Sequence, residues 1–427
     1  MLKIGVFGLN RGLDYAKDFM HLDCEIVAVC ENRENVVNAA LKVLPTDVKV
    51  YNNFDEFIEH DMDAVVLANF FHEHTPYAIR CFEKGLHVFS ECMAASTMAE
   101  CVELLRGFEK YKDRGSIYML AENYPKMKFN REMKRVVEGG TLGKILYAEG
   151  EYNHPGRPNY AEGLQEYTYF DKHWRSYLPR TYYLTHSLGP IMWLTGATPK
   201  RVSAFATFNP PSDDVAAPSH NADKVASMLM QNDDGSVFRI VGCSAFGARH
   251  DSYRVCGTKG QIENLRGMGE QVMLRYSPWY VPEGMKENNL YTPYFEDSEN
   301  DFVRKSGHGG GDYFTAKCFL DAIKENRQPE FPFDVYSGVT MAVISILAHR
   351  SVLENGAPYD IPDLKNEDER KKWENDNLSP FHYSDGRTPT IPCCSHPDYK
   401  PSEKNMELYH KLLLEELEIA TDKSHLR

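Results

Sequence analysis

The stretch Leu2-Lys3-Ile4-Gly5-Val6-Phe7-Gly8-Leu9-Asn10-Arg11-Gly12 decides the fold, together with a helical pattern from about Leu13 to His21 and then Glu25-Ile26-Val27-Ala28-Val29-Cys30-Glu31. An apolar run leads into a tight turn, a helix, and a second apolar run closed by an acid. That order is the grammar of a dinucleotide site. Turn glycines let the backbone approach a pyrophosphate. The helix N-terminus offers that anion unpaired N–H groups and the positive end of its dipole. An acid about 20 residues on accepts both ribose hydroxyls of an adenosine and repels a 2′-phosphate, so NAD is expected over NADP. Asn10 stands where the full fingerprint has glycine; asparagine is the next best residue for a positive φ, and one is expected there.

The alternation continues. Val48 to Tyr51, Asp63 to Ala68, Leu86 to Phe89 and Ser116 to Ala121 read as strands. Phe54 to Glu59, Thr75 to Lys84 and Met98 to Tyr111 read as helices, the second ending at a Gly85 cap. Repeated β-α units with apolar strands predict an α/β fold, a Rossmann doubly wound parallel sheet over residues 1–122. Its ligand crevice lies beyond the strand C-termini, which places Gly8, Glu31, Asn69, Glu91 and Glu122 along one rim. After Lys126 the pattern changes. A helix from about Phe129 to Glu138 precedes strands at Ile145–Tyr152, Val202–Phe208, Ala226–Gln231, Ser236–Cys243, Ser252–Gly257 and Gln261–Asn264. Hairpin turns fall at 232–235 and 258–260. Residues 123–360 are therefore expected to form an α+β substrate domain with a large, mainly antiparallel open sheet, carrying helices over 311–326 and 334–354. Residues 361–400, rich in Pro, Asp and Asn, read as an extended surface segment. With a final helix near 402–419, the 361–427 extension is expected to pack on the second domain or a neighbouring subunit.

At 427 residues the chain has room for two cores, and its net charge of −14 disfavours nucleic acid or an anionic membrane as partner. No window is read as approaching the ~20 apolar residues of a membrane span. The N-terminus opens directly on a core strand, which gives no secretion signal and predicts a cytoplasmic protein. Seven of the ten cysteines fall in or beside predicted strands and helices, the usage of a reduced compartment. Cys393-Cys394 with His396 lacks a second pair at zinc spacing, so it reads as loop and no metal is expected.

With these elements placed, the chain resembles the Gfo/Idh/MocA oxidoreductase family over roughly residues 1–360. The resemblance is carried by the N-terminal turn, by Ala68-Asn69-Phe70-Phe71-His72-Glu73-His74-Thr75-Pro76, by Gly85-Leu86-His87-Val88 and by the turn Gly257 to Gly260. One departure is diagnostic. Where the family usually has Glu-Lys-Pro, this chain has Glu91-Cys92-Met93, and a thiol has no standing positive charge. Four further motifs, in order, resemble the NAD-dependent glycosidases of the superfamily, in the pattern of glycoside hydrolase family 109: Glu122-Asn123, Gly150-Glu151-Tyr152-Asn153-His154, Thr185-His186-Ser187-Leu188-Gly189-Pro190 and Gly307-His308-Gly309-Gly310-Gly311-Asp312. That branch also lacks the lysine.

The resemblance implies a glycoside hydrolase that oxidises a sugar at C3, removes the C2 proton, eliminates the C1 substituent, adds water and reduces the sugar again, with NAD retained. It implies contacts to NAD from Gly8, Asn10, Arg11, Glu31, Asn69, His74, Glu91 and Asn123. His186 is the choice for the C3 hydroxyl, because imidazole relays protons near neutrality; a helix-capping histidine is the alternative. Tyr152 is the choice for the C2 base, provided nearby cations or NAD⁺ lower its pKa; a ring packed at a strand end is the alternative. Glu122 faces the nicotinamide as an orienting group or a helix cap. His154 contacts the leaving group or lies on the surface. Trp174, Arg175 and Tyr183, within an aromatic stretch running from Tyr160 through Tyr167, Tyr169 and Phe170, are expected at the sugar, as are His308 and Asp312. Cys92 is expected to pack rather than attack. Two other readings stay open: a sugar, inositol or glycoside 3-dehydrogenase with net NAD(H) turnover, and a non-enzymatic cofactor-binding regulator. The partners expected are a small glycoside or sugar and, by family resemblance, further copies of the chain in a dimer or tetramer.

Overall fold

The six predicted N-terminal runs form one parallel sheet: β1 (Lys3–Phe7), β2 (Glu25–Cys30), β3 (Lys49–Tyr51), β4 (Ala64–Leu67), β5 (His87–Ser90) and β6 (Tyr118–Leu120), in the order β3-β2-β1-β4-β5-β6. The structure, a computed structural model, describes residues 1–155 and 172–423. Helices α1 (Arg11–His21), α2 (Glu34–Ala40), α3 (Phe54–Phe57), α4 (His74–Lys84) and α5 (Met98–Lys110) connect the strands. All four residues of β4 are buried, as a strand covered on both faces requires. The strand order reverses between β1 and β4, the switch point beyond which ligands bind in such sheets. Gly8 sits there with φ 88°, and a Cβ on it would stand 2.3 Å from the Ala68 carbonyl oxygen. Asn10 does not share that conformation. Its φ is −67°, in the right-handed region, because α1 begins at the next residue and Gly8 alone makes the reversal.

The second sheet has nine strands in the order β14-β13-β12-β11-β7-β10-β9-β8-β15. They are β7 (Ile145–Asn153), β8 (Pro199–Phe208), β9 (Asp223–Asn232), β10 (Val237–Ser244), β11 (His250–Gly257), β12 (Gly260–Asn264), β13 (Val272–Tyr276), β14 (Asn288–Tyr291) and β15 (Tyr359–Asp360). β7 and β10 pair in parallel, and the remaining neighbours in this sheet are antiparallel. Helix α6 (Lys128–Glu138) and helix α7 (Thr185–Thr195) pack with this domain. α7 is buried from Thr185 through Leu194. It lies directly on β7 because position 150 is glycine: a Cβ there would meet the Ser187 carbonyl oxygen at 2.1 Å.

Beyond the sheet come α8 (Asp301–Lys305), α9 (Gly311–Lys324), α10 (Val335–Leu353), α11 (Glu367–Trp373) and α12 (Glu403–Lys423). α9 and α10 do not belong to the second domain alone. α9 packs on α1, with Phe319 edge-on to Phe19 and 5.3 Å from Phe89. α10 lies between β8 and the α5–β6 layer. By length and composition α10 is apolar enough to cross a membrane, which the sequence reading passes over; 83% of that window is buried inside the protein, as a core helix is.

The extension also differs from expectation. Its first part grips the Rossmann domain. Arg370 donates to both carboxylate oxygens of Glu109 at 2.6 Å, the Asp376 carbonyl accepts from Ala99 N–H at 3.0 Å, and Ser384 donates to Glu73 through both its N–H and its hydroxyl. Phe381 is 0% exposed. After Pro392 the chain returns to the second sheet, where Ser395 and Cys394 meet Asp223. Cys393 and Cys394 are buried free thiols, and no metal-competent cluster occurs among the described residues. A merely superficial segment would tolerate truncation of its apolar side chains. Phe381→Ala is instead expected to lower the unfolding free energy by about 3–5 kcal/mol, measured by urea denaturation.

Candidate active site

Glu122 follows β6 at the C-terminal edge of the parallel sheet, and α7 carries His186 to it. Nδ1 of His186 lies 2.9 Å from each carboxylate oxygen. Glu122 is 0% exposed and His186 7%. Gly189 makes the approach possible, since a Cβ there would stand 2.7 Å from Glu122 Cγ. The carboxylate also accepts Tyr124 N–H at 3.2 Å and the Cys92 thiol at 3.4 Å. Burial pulls the His186 pKa down, but the Glu122 charge and hydrogen bond outweigh it and hold the imidazole above its ordinary value. Burial pushes Glu122 up, and the His186 charge reverses that and holds it low. Nδ1 is committed to Glu122, which leaves Nε2 for a ligand hydroxyl and makes Glu122 the partner that stabilises the imidazole when it takes up a proton.

Three tyrosine rings surround His186: Tyr124 at 4.2 Å, Tyr152 at 5.0 Å and Tyr183 at 5.0 Å. Phe71 continues the wall, stacking on Trp174 at 4.7 Å and on Tyr183 at 5.3 Å. Arg175 is exposed, with its guanidinium over the Trp174 ring at 4.5 Å. These expected sugar-binding residues are thus brought together with the catalytic candidates. Tyr160, Tyr167, Tyr169 and Phe170 lie outside the described residues. His154 follows β7, exposed, its ring 5.9 Å from Tyr152; burial and then Arg249 lower its pKa, so it is neutral.

Tyr152 is placed at the site but not poised as a base. Burial, then Cys243 and the Asp251 carboxylate, push its phenol above the ordinary value, and Arg175 offsets this only in part. It holds its proton and is a donor. Cys92 is likewise a thiol: burial and then Glu122 push it well up.

Asp312 is not available to a sugar. It is 0% exposed and receives both terminal nitrogens of Arg11, at 2.6 and 2.7 Å. Asn123 and His308 also meet it. Arg11 turns its remaining Nε to Glu91 at 2.9 Å. This cluster ties the start of α1 to the glycine turn at 307–311, so Arg11, Asn123 and Asp312 act as positioning groups. His308 keeps a part-exposed edge. His74 is also internal, 1% exposed, its Nδ1 2.8 Å from the Met93 carbonyl oxygen, and it fixes the loop that carries Cys92.

The residues at the switch point fit a dinucleotide. Gly8 leaves the backbone bare beside Ala68, α1 opens with its N–H groups toward the crevice, and Asn69 Oδ1 is buried without a partner among the described residues. Glu31 accepts Leu9 N–H at 3.2 Å and closes the turn. Burial raises its carboxyl, but Arg33, bonded to both oxygens, holds it below the usual range and ready for hydroxyls. Sequence reading misses Tyr124 and Asp251, which the tertiary arrangement alone brings near His186, and Phe71, which it stacks on Trp174 and Tyr183.

Comparison with known proteins agrees with this geometry. Residues 2–119 match a family described as oxidoreductase, NAD-binding Rossmann fold; residues 130–263 match a GFO/IDH/MocA C-terminal domain; residues 220–374 match the C-terminal domain of glycosyl hydrolase 109. A glycosyl hydrolase family 109 protein of Saccharopolyspora erythraea is 26% identical, over 87% of this chain and 84% of its own. An alpha-N-acetylgalactosaminidase of Shewanella oneidensis is 22% identical, over 88% and 86%. Among solved structures, levoglucosan dehydrogenase in complex with NADH and L-sorbose superposes with a TM-score of 0.66 at 18% identity, covering 85% of this chain and 99% of that one. Myo-inositol 2-dehydrogenase from Lactobacillus plantarum gives 0.63 at 19% identity, covering 84% and 99%.

The buried pair has a pH signature. The folded His186 pKa is raised, so its contribution to stability is complete below the unfolded imidazole value and is lost as pH rises through the folded value. The folded Glu122 pKa is lowered, so its contribution is complete above the unfolded carboxyl value and is lost as pH falls through the folded value. Stability from the pair therefore peaks between the ordinary carboxyl and imidazole ranges. Glu122→Gln is expected to drop the His186 pKa, read by imidazole NMR, and to remove about 3–5 kcal/mol near pH 6 in urea denaturation.

Proposed function

We propose that this chain, whose two domains match Gfo/Idh/MocA family models, is an NAD-dependent glycoside hydrolase acting by transient oxidation at C3 of a sugar. The observation that carries the reading is the Glu122–His186 pair. It places a reversible acid–base group at the rim of the Rossmann sheet, while Cys92 fills the position where plain dehydrogenases of the family carry lysine. The family 109 match and the similarity to an alpha-N-acetylgalactosaminidase support it.

When bound, NAD would supply the acceptor and later the donor of an electron pair at C3. The chain does the rest. Nε2 of His186 accepts the proton of the C3 hydroxyl, and Glu122 stabilises the imidazolium that results. Phe71, Trp174 and Tyr183 offer ring faces to the apolar side of a pyranose. With C3 at the ketone level, the C2 proton is acidic enough for a side chain to remove, and the C1 substituent leaves. His154, neutral and exposed beyond Tyr152, faces the departing group. Water added at C1 and a proton returned to C2 complete hydrolysis. A second reading, net oxidation of a sugar or inositol, is favoured by the fold shared with levoglucosan and myo-inositol dehydrogenases; the missing lysine speaks against it.

The two readings separate in one experiment. The purified protein is incubated with aryl glycosides in D₂O without added NAD. Hydrolysis is expected to release aglycone with deuterium at C2; a stable keto sugar with one NADH per sugar would establish the dehydrogenase instead. His186→Ala is expected to lower turnover by about 100-fold or more. It should still carry NAD through gel filtration.

A further inference from the structure

Tyr152 cannot serve as a strong base while its phenol is held protonated, yet C2 deprotonation requires one. The sheet supplies a carboxylate beside it. In the β7–β11 ladder Asp251 pairs directly with Tyr152, and antiparallel partners project on the same face. That face is fixed by two other contacts. Tyr253, two residues on from Asp251, donates its hydroxyl to the His186 carbonyl oxygen at 2.6 Å, and the Tyr152 ring stands 5.0 Å from His186. Asp251 therefore projects toward the same ground as His186.

Its bonding is unlike that of the other acids nearby. Glu122 is bound to His186, Glu151 to His250 and Arg266, and Asp312 to Arg11. Asp251 Oδ1 is buried and has no hydrogen-bond partner among the described residues. An unsatisfied buried carboxylate oxygen costs about 1–3 kcal/mol, a cost that a ligand contact would remove. The residue also lines a cleft of about 310 Å³, together with Arg249, His250, His308 and Met127. The cleft opens to solvent, and His308 in its lining stands 5.3 Å from the Tyr124 ring of the site.

We propose that Asp251 is the catalytic base that removes the proton from C2 of the oxidised sugar, with the leaving group lying toward the cleft. The assignment rests on the glycosidase reading above. In the step, the C2–H bond breaks and its proton passes to the Asp251 carboxylate. The C–H electron pair becomes the C1–C2 double bond. The C1–O bond breaks with its pair on the aglycone oxygen, which takes a proton from water. Burial raises the Asp251 pKa, and this strengthens the carboxylate as a base. Tyr152, a donor beside it, is placed to hold a sugar oxygen rather than to take the proton.

The test uses the holoenzyme and an aryl glycoside in D₂O, following three signals: reduction of the bound nicotinamide by absorbance, hydrogen–deuterium exchange at C2 by NMR, and aglycone release. Asp251→Asn is expected to keep its NAD, its thermal midpoint and the initial absorbance burst, while exchange and release fall together by about 100-fold or more. Exchange within about threefold of wild type in Asp251→Asn would overturn the assignment, as would loss of exchange confined to Tyr152→Phe. Should Asp251→Asn fail to fold, Asp251→Glu carries the test. That variant is expected to retain NAD and the burst but to slow exchange and enlarge the isotope effect with C2-deuterated substrate, and wild-type behaviour in it would overturn the proposal. Wild-type enzyme that accumulates reduced nicotinamide with no exchange at C2 sinks the glycosidase reading and this base with it. Normal hydrolysis by wild type and Asp251→Asn alike sinks the base alone.

Discussion

The two-pronged contact between Arg11 and Asp312 holds the molecule's two halves in register. Arg11 is the first residue of α1, where the Rossmann turn delivers its helix; Asp312 stands in the first turn of α9, 301 residues away in sequence. The planar guanidinium matches the carboxylate with two parallel bonds, and the third nitrogen reaches Glu91. Desolvating such a pair nearly cancels its attraction, so its value is chiefly geometric; breaking it strands a buried charge. Asp312 also receives Asn123 and His308. Since Asn123 is the next residue after Glu122, the same carboxylate sets where the Glu122–His186 pair stands relative to the dinucleotide turn.

The position of positive charge separates this chain from the lysine-bearing pattern of the Gfo/Idh/MocA family that it resembles. A lysine ammonium is a compact, permanent cation near neutrality, suited to holding a hydroxyl as it is oxidised. Cys92 offers only a weak donor, and it gives that donor to Glu122. The charge-bearing group nearest Glu122 is instead His186, whose protonated form Glu122 stabilises. An imidazole can gain and lose a proton within one turnover, which the proposed removal and return of a sugar hydroxyl's proton would require. The tyrosine box keeps this exchange away from bulk water, where competing hydration of the charges would weaken every contact.

Local rules make the Rossmann half readable. Apolar runs, glycine turns and a terminal acid act within some thirty residues, so β1 through β6, Gly8 and Glu31 can be placed from sequence. The positive φ reads too widely, onto Asn10, because the fingerprint does not say where the helix starts. α2 escapes because a seven-residue helix burying only Ala40 has almost no apolar stripe. β14 escapes because Asn288-Asn289-Leu290-Tyr291 is a polar edge strand. Asp312 reads as a ligand contact because nothing nearby in sequence names Arg11 as its partner. Asp251 leaves no signal at all: its meaning comes from facing Tyr152 across a ladder that joins residues about a hundred positions apart. Residues whose chemistry depends on sheet register are invisible to periodicity.

Long-range packing also explains the C-terminal extension. Phe381 packs at 4.9 Å on His72 and 6.4 Å on Phe71, and Phe71 is the ring on which Trp174 and Tyr183 stack. Tyr383 adds a second ring against His72, whose Nε2 is fixed by a bond to the His382 carbonyl. Burial drops His72 to about 3, so it is a neutral packing group in this wall. The extension thus stands behind the aromatic wall rather than in the crevice. Because one end of it is bound to Glu109 and Glu73 and the other to Asp223, it spans both domains. A hinge that opened the crevice would have to break the strap's bonds at one end or its Phe381 contacts. The same strap that backs the aromatic wall therefore resists opening of the crevice. Under the proposed glycosidase cycle, in which the electron pair returns every turnover, a retained dinucleotide would serve better than an exchangeable one.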